Sequence, residues 1–146
     1  MYLLDTCVIS HLSPEQSRPN PTITEWLRRN GEHCYLSVVT ITEIAYGIAW
    51  SRHRRATAKA ARLQAWFEQM MDLHSGHILQ VDGDIASRAG VLLAIARAAG
   101  SAPNTEDAWI AATAELHGLL VLTFNDADFR PFGVAFRNPL TDLTPG

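Results

Sequence analysis

MYLLDTCVIS, residues 1–10, poses the question that decides the fold: Tyr2-Leu3-Leu4 reads as a buried strand, yet it runs straight into a carboxylate, Asp5. A carboxylate at the end of a buried strand must cap a helix, meet a cation or bind a ligand. Similar short apolar stretches follow. HCYLSVV (33–39), rich in aromatic and β-branched residues, HILQVD (77–82) and LLVLTF (119–124) read as strands, and VAFRNP (134–139) as a weak fifth. Between them, SPEQSRPNP (13–21) reads as a surface loop. Helices are expected from Thr22 or Thr24 to about Asn30 with Gly31 closing, from about Thr40 to Ser51, and from about Arg54 to Leu73. Two more are expected, from about Asp84 to Ala99 before Gly100 and from about Glu106 to His117 before Gly118. Short apolar strands alternating with helices predict an α/β fold, with a mostly parallel sheet covered on both faces. In such sheets ligands bind beyond the carboxyl ends of the strands.

With 146 residues, 47% of them hydrophobic, the chain fits one compact domain, residues 1–146, with a full core. No apolar run reaches the length of a membrane span, and no basic region precedes an apolar one at the start, so a cytoplasmic protein is expected. Cys7 and Cys34 have no metal-site spacing and read as reduced core residues. A net charge of −3 argues against a protein that coats nucleic acid electrostatically. Positive charge is nonetheless clustered at Arg52, His53, Arg54, Arg55, Lys59 and Arg62, and at Arg28 and Arg29; each cluster is either a solvated helix face or a local phosphate contact.

Acids fall at the places where this architecture binds ligands. Asp5 ends the first strand, Glu43 lies in the first turn after the second, Asp107 in the first turn of the helix before the fourth, and Asp126 and Asp128 just after the fourth. Each also has a plain structural role available. Asp5 could cap a short helix, Thr40-Ile41-Thr42-Glu43 fits a capping box, Asn104-Thr105-Glu106-Asp107 is a similar arrangement, and the last pair could be turn residues. Asp107 fits a cap least well. It shares a helical stripe with Ile110, Ala111 and Ala114, and a carboxylate on a buried stripe is costly without a partner. If these acids converge, a hard divalent cation is the natural counter-charge. No P-loop, GxGxxG, GxSxG or HExxH pattern offers a different chemistry, and His117 reads as a helix C-cap partner.

The residues carrying these acids resemble a known family. LLDTCVIS (3–10) is similar to the first motif of PIN-domain ribonucleases, in particular the VapC/FitB toxins of type II toxin–antitoxin pairs. LSVVTITEIAYGI (36–48), DAWIAATA (107–114), HGLLVLTFNDADF (117–129) and FRNPL (136–140) match further motifs in order, so the likeness spans nearly the whole chain. The resemblance implies a PIN-like three-layer α/β/α sandwich with a central, mostly parallel sheet of four to five strands. It implies Asp5, Glu43, Asp107 and Asp128 as catalytic, metal-binding carboxylates for Mg²⁺ or Mn²⁺, with Asp126 as an alternative fourth acid. Thr6, Thr123 and Asn125 fall at polar positions that hold water or phosphate. Phe124 stands where the family often has Arg, and Cys7 where Asn is frequent.

The activity implied is endoribonucleolytic hydrolysis of RNA, leaving a 5′-phosphate and a 3′-hydroxyl. The partners implied are a small antitoxin, whose tail covers the acidic site and whose other half binds DNA, and a second copy of the chain in a homodimer. Trp50 and Trp66 read as core residues on faces that could contribute to such a dimer. Two rival enzymes fail on the sequence. A phosphoacceptor receiver needs a lysine after a late strand, and the single lysine, Lys59, is mid-chain; a haloacid-dehalogenase-type phosphatase needs an acid at position 7, which is Cys7. The remaining alternative is a non-catalytic PIN-fold binding module that acts with an antitoxin in DNA-binding autoregulation.

Overall fold

The computed structural model describes residues 1–142, so the last four residues of the expected domain lie outside the described residues. In chain order the elements are β1 (Tyr2–Leu4), α1 (Thr6–Ile9), α2 (Pro21–Asn30), β2 (Cys34–Ser37), α3 (Val38–His53), α4 (Thr57–Leu73) and β3 (Ile78–Leu79). There follow α5 (Gly83–Ala98), α6 (Thr105–Leu116), β4 (Leu120–Leu122), α7 (Asp126–Phe129), β5 (Phe136–Arg137) and α8 (Pro139–Asp142). The strands form one sheet in the order β3-β2-β1-β4-β5, and every neighbouring pair is parallel. The α/β class, the parallel sheet and the weak fifth strand are all as the sequence predicts.

Alternation of side chains along the strands divides the core into two layers. Leu3 and Val121, paired in register, point into one layer with Ile85, Ala89 and Leu92 of α5 and Ile110 and Ala111 of α6. Leu4 and Leu122, one residue further on, point into the other with Val8, Ile23, Leu27, Leu36, Ile44 and Met70. The alanines of α5 and α6 let these helices approach the sheet and each other closely. Leu3 is fully buried. Truncation of Leu3 to Ala should cost about 2–5 kcal/mol, read as a lower urea midpoint with the slope unchanged.

Three element starts differ from expectation. α2 begins at Pro21, because Asn20 accepts the N–H groups of Thr22 and Ile23 and proline suits the first helical position. α3 begins at Val38, capped by Ser37, whose Oγ accepts the Val39 N–H at 3.2 Å. Glu43 therefore lies in the second turn, and the capping box expected from Thr40 does not form. α4 starts at Thr57, since Arg55 adopts a left-handed backbone (φ 61°) that breaks the chain from α3. β3 keeps two of the six residues expected, as befits an edge strand. Among the described residues no helix is long and apolar enough to cross a membrane.

Trp66 packs against the second layer, but Trp50 is half exposed, so its core reading is wrong. The basic clusters are partly neutralised. Arg28 and Arg29 both pair with Glu25, and Arg62 with Glu15, while Arg52 donates to Gln64. Cys7 and Cys34 are free, as expected, with Cys34 buried and Cys7 partly so.

Candidate active site

The chain order places the reversal of the sheet between β1 and β4, since β2 and β3 extend to one side of β1 and β4 and β5 to the other. Crevices at such switch points, beyond the carboxyl ends of the strands, are the usual ligand sites of α/β sheets. Asp5 lies there. Its N–H continues the ladder by donating to the Leu122 carbonyl at 2.9 Å, and its side chain is almost fully buried.

Three donors hold the Asp5 carboxylate. Oδ1 accepts the Thr6 N–H at 2.7 Å, so Asp5 does cap α1; Oδ2 accepts the Thr123 hydroxyl at 2.7 Å and the Cys7 thiol at 3.0 Å. Burial and the charge of Asp5 push the Cys7 thiol up to about 12, so it stays protonated and donates. Its sulfur in turn accepts the Phe124 N–H at 3.3 Å, and Thr123 Oγ1 accepts the Asn125 N–H at 2.9 Å. β1 and β4 are thus locked together at their carboxyl ends through one carboxylate. The sequence marked Thr123 and Asn125 but not Cys7, whose place in the first turn after Asp5 was the available signal. Thr123→Val keeps the shape and removes the donor, leaving Asp5 short of one bond. It should cost about 1–3 kcal/mol, measurable as a lower Tm, with Thr123→Ser close to wild type.

Glu43 reaches the same pocket from α3, and its Oε2 accepts the Thr6 hydroxyl. Burial and the negative charges of Asp5 and Glu106 raise its pKa, against the lowering effect of the Thr6 bond. Asp107 arrives from the first turn of α6, which runs back along the sheet and so begins at its carboxyl edge. A helix N-terminus ordinarily favours ionised acids. Here the opposite holds: burial, then the charges of Asp5, Asp128, Glu43 and Glu106, push the Asp107 carboxyl up to about 7. Asp5, Glu43, Asp107 and Asp128 are therefore close neighbours, with Glu106, which the sequence marks only as part of the cap arrangement of α6, as a fifth charge. Among the described residues, no Lys, Arg or His forms an ion pair with any of the four.

Asp126 and Asp128 part company on α7. Asp126 Oδ1 accepts from Asn138 Nδ2 at 2.8 Å, which ties it to the end of β5, whereas Asp128 lies close enough to Asp107 to act on its titration. Asn125 is exposed and its side chain makes no cap bond, so only its backbone joins the network. Phe124 turns inward, edge to face with His11 at 5.8 Å between ring centroids. As the side chains stand, no three His, Cys, Asp or Glu groups among the described residues form a ready-made metal cage. The donor set is nevertheless one of hard carboxylate oxygens without ion-pair partners among the described residues, which suits Mg²⁺ or Mn²⁺.

Fold and site together define a parallel α/β protein with an acidic pocket at its topological switch point. A PIN domain model matches residues 2–134. The chain is 31% identical over 141 residues to VapC ribonuclease Y4jK of Sinorhizobium fredii, covering 95% of this chain and 97% of that protein. It is 33% identical over 144 residues to Toxin FitB of Neisseria gonorrhoeae, covering 97% and 100% respectively. The solved structure of FitAcB from Neisseria gonorrhoeae superposes with a TM-score of 0.84 at 34% identity, over 97% of this chain and 99% of that one. FitAB bound to an IR36 DNA fragment superposes with 0.82 at 31% identity, over the whole of both chains. The chain belongs to the PIN-domain family and, within it, to the VapC/FitB type, as its motifs led one to expect.

Proposed function

We propose that this chain is a toxin of a type II toxin–antitoxin pair that hydrolyses RNA with the help of Mg²⁺ or Mn²⁺. The observation that carries the reading is the grouping of four carboxylates from four separate elements, with Asp5, Glu43 and Asp128 each near enough to raise the Asp107 carboxyl, and with no ion pair to any of them among the described residues. Relatives named as a VapC ribonuclease and a FitB toxin support it. In this reading those four carboxylates hold the metal, and Asp126 is the structural member of its pair.

When bound, the ion supplies counter-charge to the acids and Lewis acidity at the phosphodiester. The chain's own residues supply position. Asp5, fixed by three donors, is the least mobile oxygen pair of the site and sets its centre. Thr6 orients Glu43, while Thr123 fixes Asp5 and is itself fixed by the Asn125 N–H. Water attacks phosphorus, the P–O3′ bond breaks and a proton passes to the 3′ oxygen, leaving a 5′-phosphate and a 3′-hydroxyl.

The proposed partner is a small antitoxin whose other half binds DNA, by analogy with FitAB bound to DNA. An acidic pocket of this kind is complementary to an inserted arginine, and a second copy of the chain completes a homodimer. The test is to incubate the purified protein with mixed cellular RNA, with Mg²⁺ or Mn²⁺ and with EDTA, beside Asp5→Asn and Asp107→Asn. Metal-dependent cleavage lost in both variants is expected. Cleavage indifferent to EDTA and to both substitutions would sink the proposal, and no cleavage at all would favour the non-catalytic binding module.

A further inference from the structure

Outside the acid cluster, the least explained feature of the molecule is an aromatic ladder on α3. Tyr46, Trp50 and His53 stand one above another, Tyr46 and Trp50 with ring planes 9° apart and centroids at 6.3 Å, Trp50 and His53 at 18° and 5.3 Å. Tyr46 is 66% exposed and Trp50 47%, although the opposite face of the same helix buries Ile44 and Ile48 in the core. A helix with apolar residues on both faces leaves one of them without a partner. Glu43, half-buried, lies one turn before Tyr46, so the ladder starts at the acid cluster.

At that junction α3 and α6 border a cleft of about 800 Å³, lined among others by Glu43, Tyr46, Asn104, Glu106 and Trp109. Its chemistry is of two kinds. Tyr46 and Trp109 offer aromatic rings. Asn104 occupies the N-cap position of α6, yet its side chain makes no cap bond, which leaves both its donor and its acceptor available. Glu106 is exposed, and among the described residues it forms no ion pair. Glu106, which is outside the proposed metal-holding set, disfavours a phosphate beside it, so a nucleic acid places an uncharged part there.

We propose that this cleft is a nucleobase subsite: a base of single-stranded RNA next to the scissile phosphate stacks on Tyr46, and its edge is read by Asn104 and Glu106. The proposal rests on the ribonuclease reading above. A carboxylate accepts from the amino groups of cytosine, adenine or guanine, and an asparagine amide matches a donor–acceptor edge. Uracil offers carbonyl oxygens on both sides of its single ring N–H and meets Glu106 poorly. The subsite therefore prefers amino-bearing bases, and Trp50 and His53 continue the stacking surface for neighbouring nucleotides.

The test uses the wild-type protein with Mn²⁺ and a pool of random single-stranded RNA, with the cut ends sequenced. Cleaved molecules should be depleted of uracil at one fixed position beside the cut. Tyr46→Ala should raise KM about tenfold while kcat falls far less, since stacking supports binding. Tyr46→Phe, which keeps the ring, should restore KM, and Asn104→Ala should flatten the base preference. Equal use of all four bases around the cut, or an unchanged KM in Tyr46→Ala, overturns the subsite while leaving the ribonuclease reading intact. A change of elution volume alone in Tyr46→Ala assigns the ladder to self-association and likewise overturns it. Failure of the wild-type protein to cut any RNA, with either metal, overturns the ribonuclease reading and the subsite with it.

Discussion

Asp5→Asn is expected to lower RNA cleavage about a thousandfold or more while the protein remains folded. The loss follows from its place: it is the buried carboxylate at the switch point, and a metal contributes several kcal/mol of transition-state stabilisation, each 1.4 of which is about a decade in rate. The fold survives for a local reason. Asn at position 5 can still accept the Thr6 N–H through its oxygen, while its amide meets Thr123 Oγ1, a hydroxyl able to accept as well as donate. Two charge-assisted bonds to Oδ2, from Thr123 and Cys7, are lost, at a cost of order 1–2 kcal/mol each. That cost is offset in part by the amide bond to Thr123 and by relief of repulsion on Asp107 and Glu43, both of which Asp5 pushes upward. Circular dichroism and a Tm within a few degrees of wild type would establish folding, and initial rates on RNA would measure the loss. Retention of more than about a tenth of the activity would contradict the role given to Asp5.

The second large effect is on stability. In the metal-free protein the Asp107 carboxyl sits near 7, against an ordinary 3.8. The folded chain thus holds this proton more tightly than the unfolded chain, so the contribution of Asp107 to stability is fully present below about pH 4 and is lost as pH rises to about 7. Asp107 is only partly buried, and screening by water reduces the effect to order 1 kcal/mol, about 2–4 °C in Tm. Under the proposed reading, Mg²⁺ or Mn²⁺ should act in the opposite direction, by binding the folded acid cluster and not the dispersed acids of the unfolded chain. At a hundredfold excess over its Kd, the ion adds about 2.7 kcal/mol, or roughly 5–10 °C. Asp107→Asn should melt above wild type at neutral pH without metal, and should respond weakly to metal. A wild-type Tm that ignores both pH over this range and divalent ions would refute the account of the cluster.

Much of the molecule was legible because buried parallel strands are written as short apolar runs. Leu3-Leu4, Leu36 and Val121-Leu122 have no polar side, and the acids at their ends stand out for that reason. Local pattern misled where two patterns competed. Thr40-Ile41-Thr42-Glu43 has the form of a capping box, but Ser37 stands nearer the strand end and closes the helix first, which frees Glu43 to face Asp5. Long-range contacts were not legible at all. Nothing near Asp126 and Asp128 tells which one faces the pocket; Asn138, from beyond β5, takes Asp126. Trp50 looked like core because tryptophan usually is, and only the placement of α3 at the rim of the pocket shows it exposed. The pairing of Arg62 with Glu15 likewise joins residues far apart in sequence and removes one charge from the apparent basic patch.

The chemistry at phosphorus is what separates this account most directly from any other. Hydrolysis by water at a carboxylate-held metal leaves a 5′-phosphate and a 3′-hydroxyl, whereas attack by the RNA's own 2′-hydroxyl leaves a cyclic phosphate and a 5′-hydroxyl. Analysis of the ends of RNA cut by the wild-type protein in Mn²⁺, in H₂¹⁸O, should find 5′-phosphates that have gained one ¹⁸O, and no cut in EDTA. Cyclic phosphate ends, formed equally well in EDTA, would contradict it.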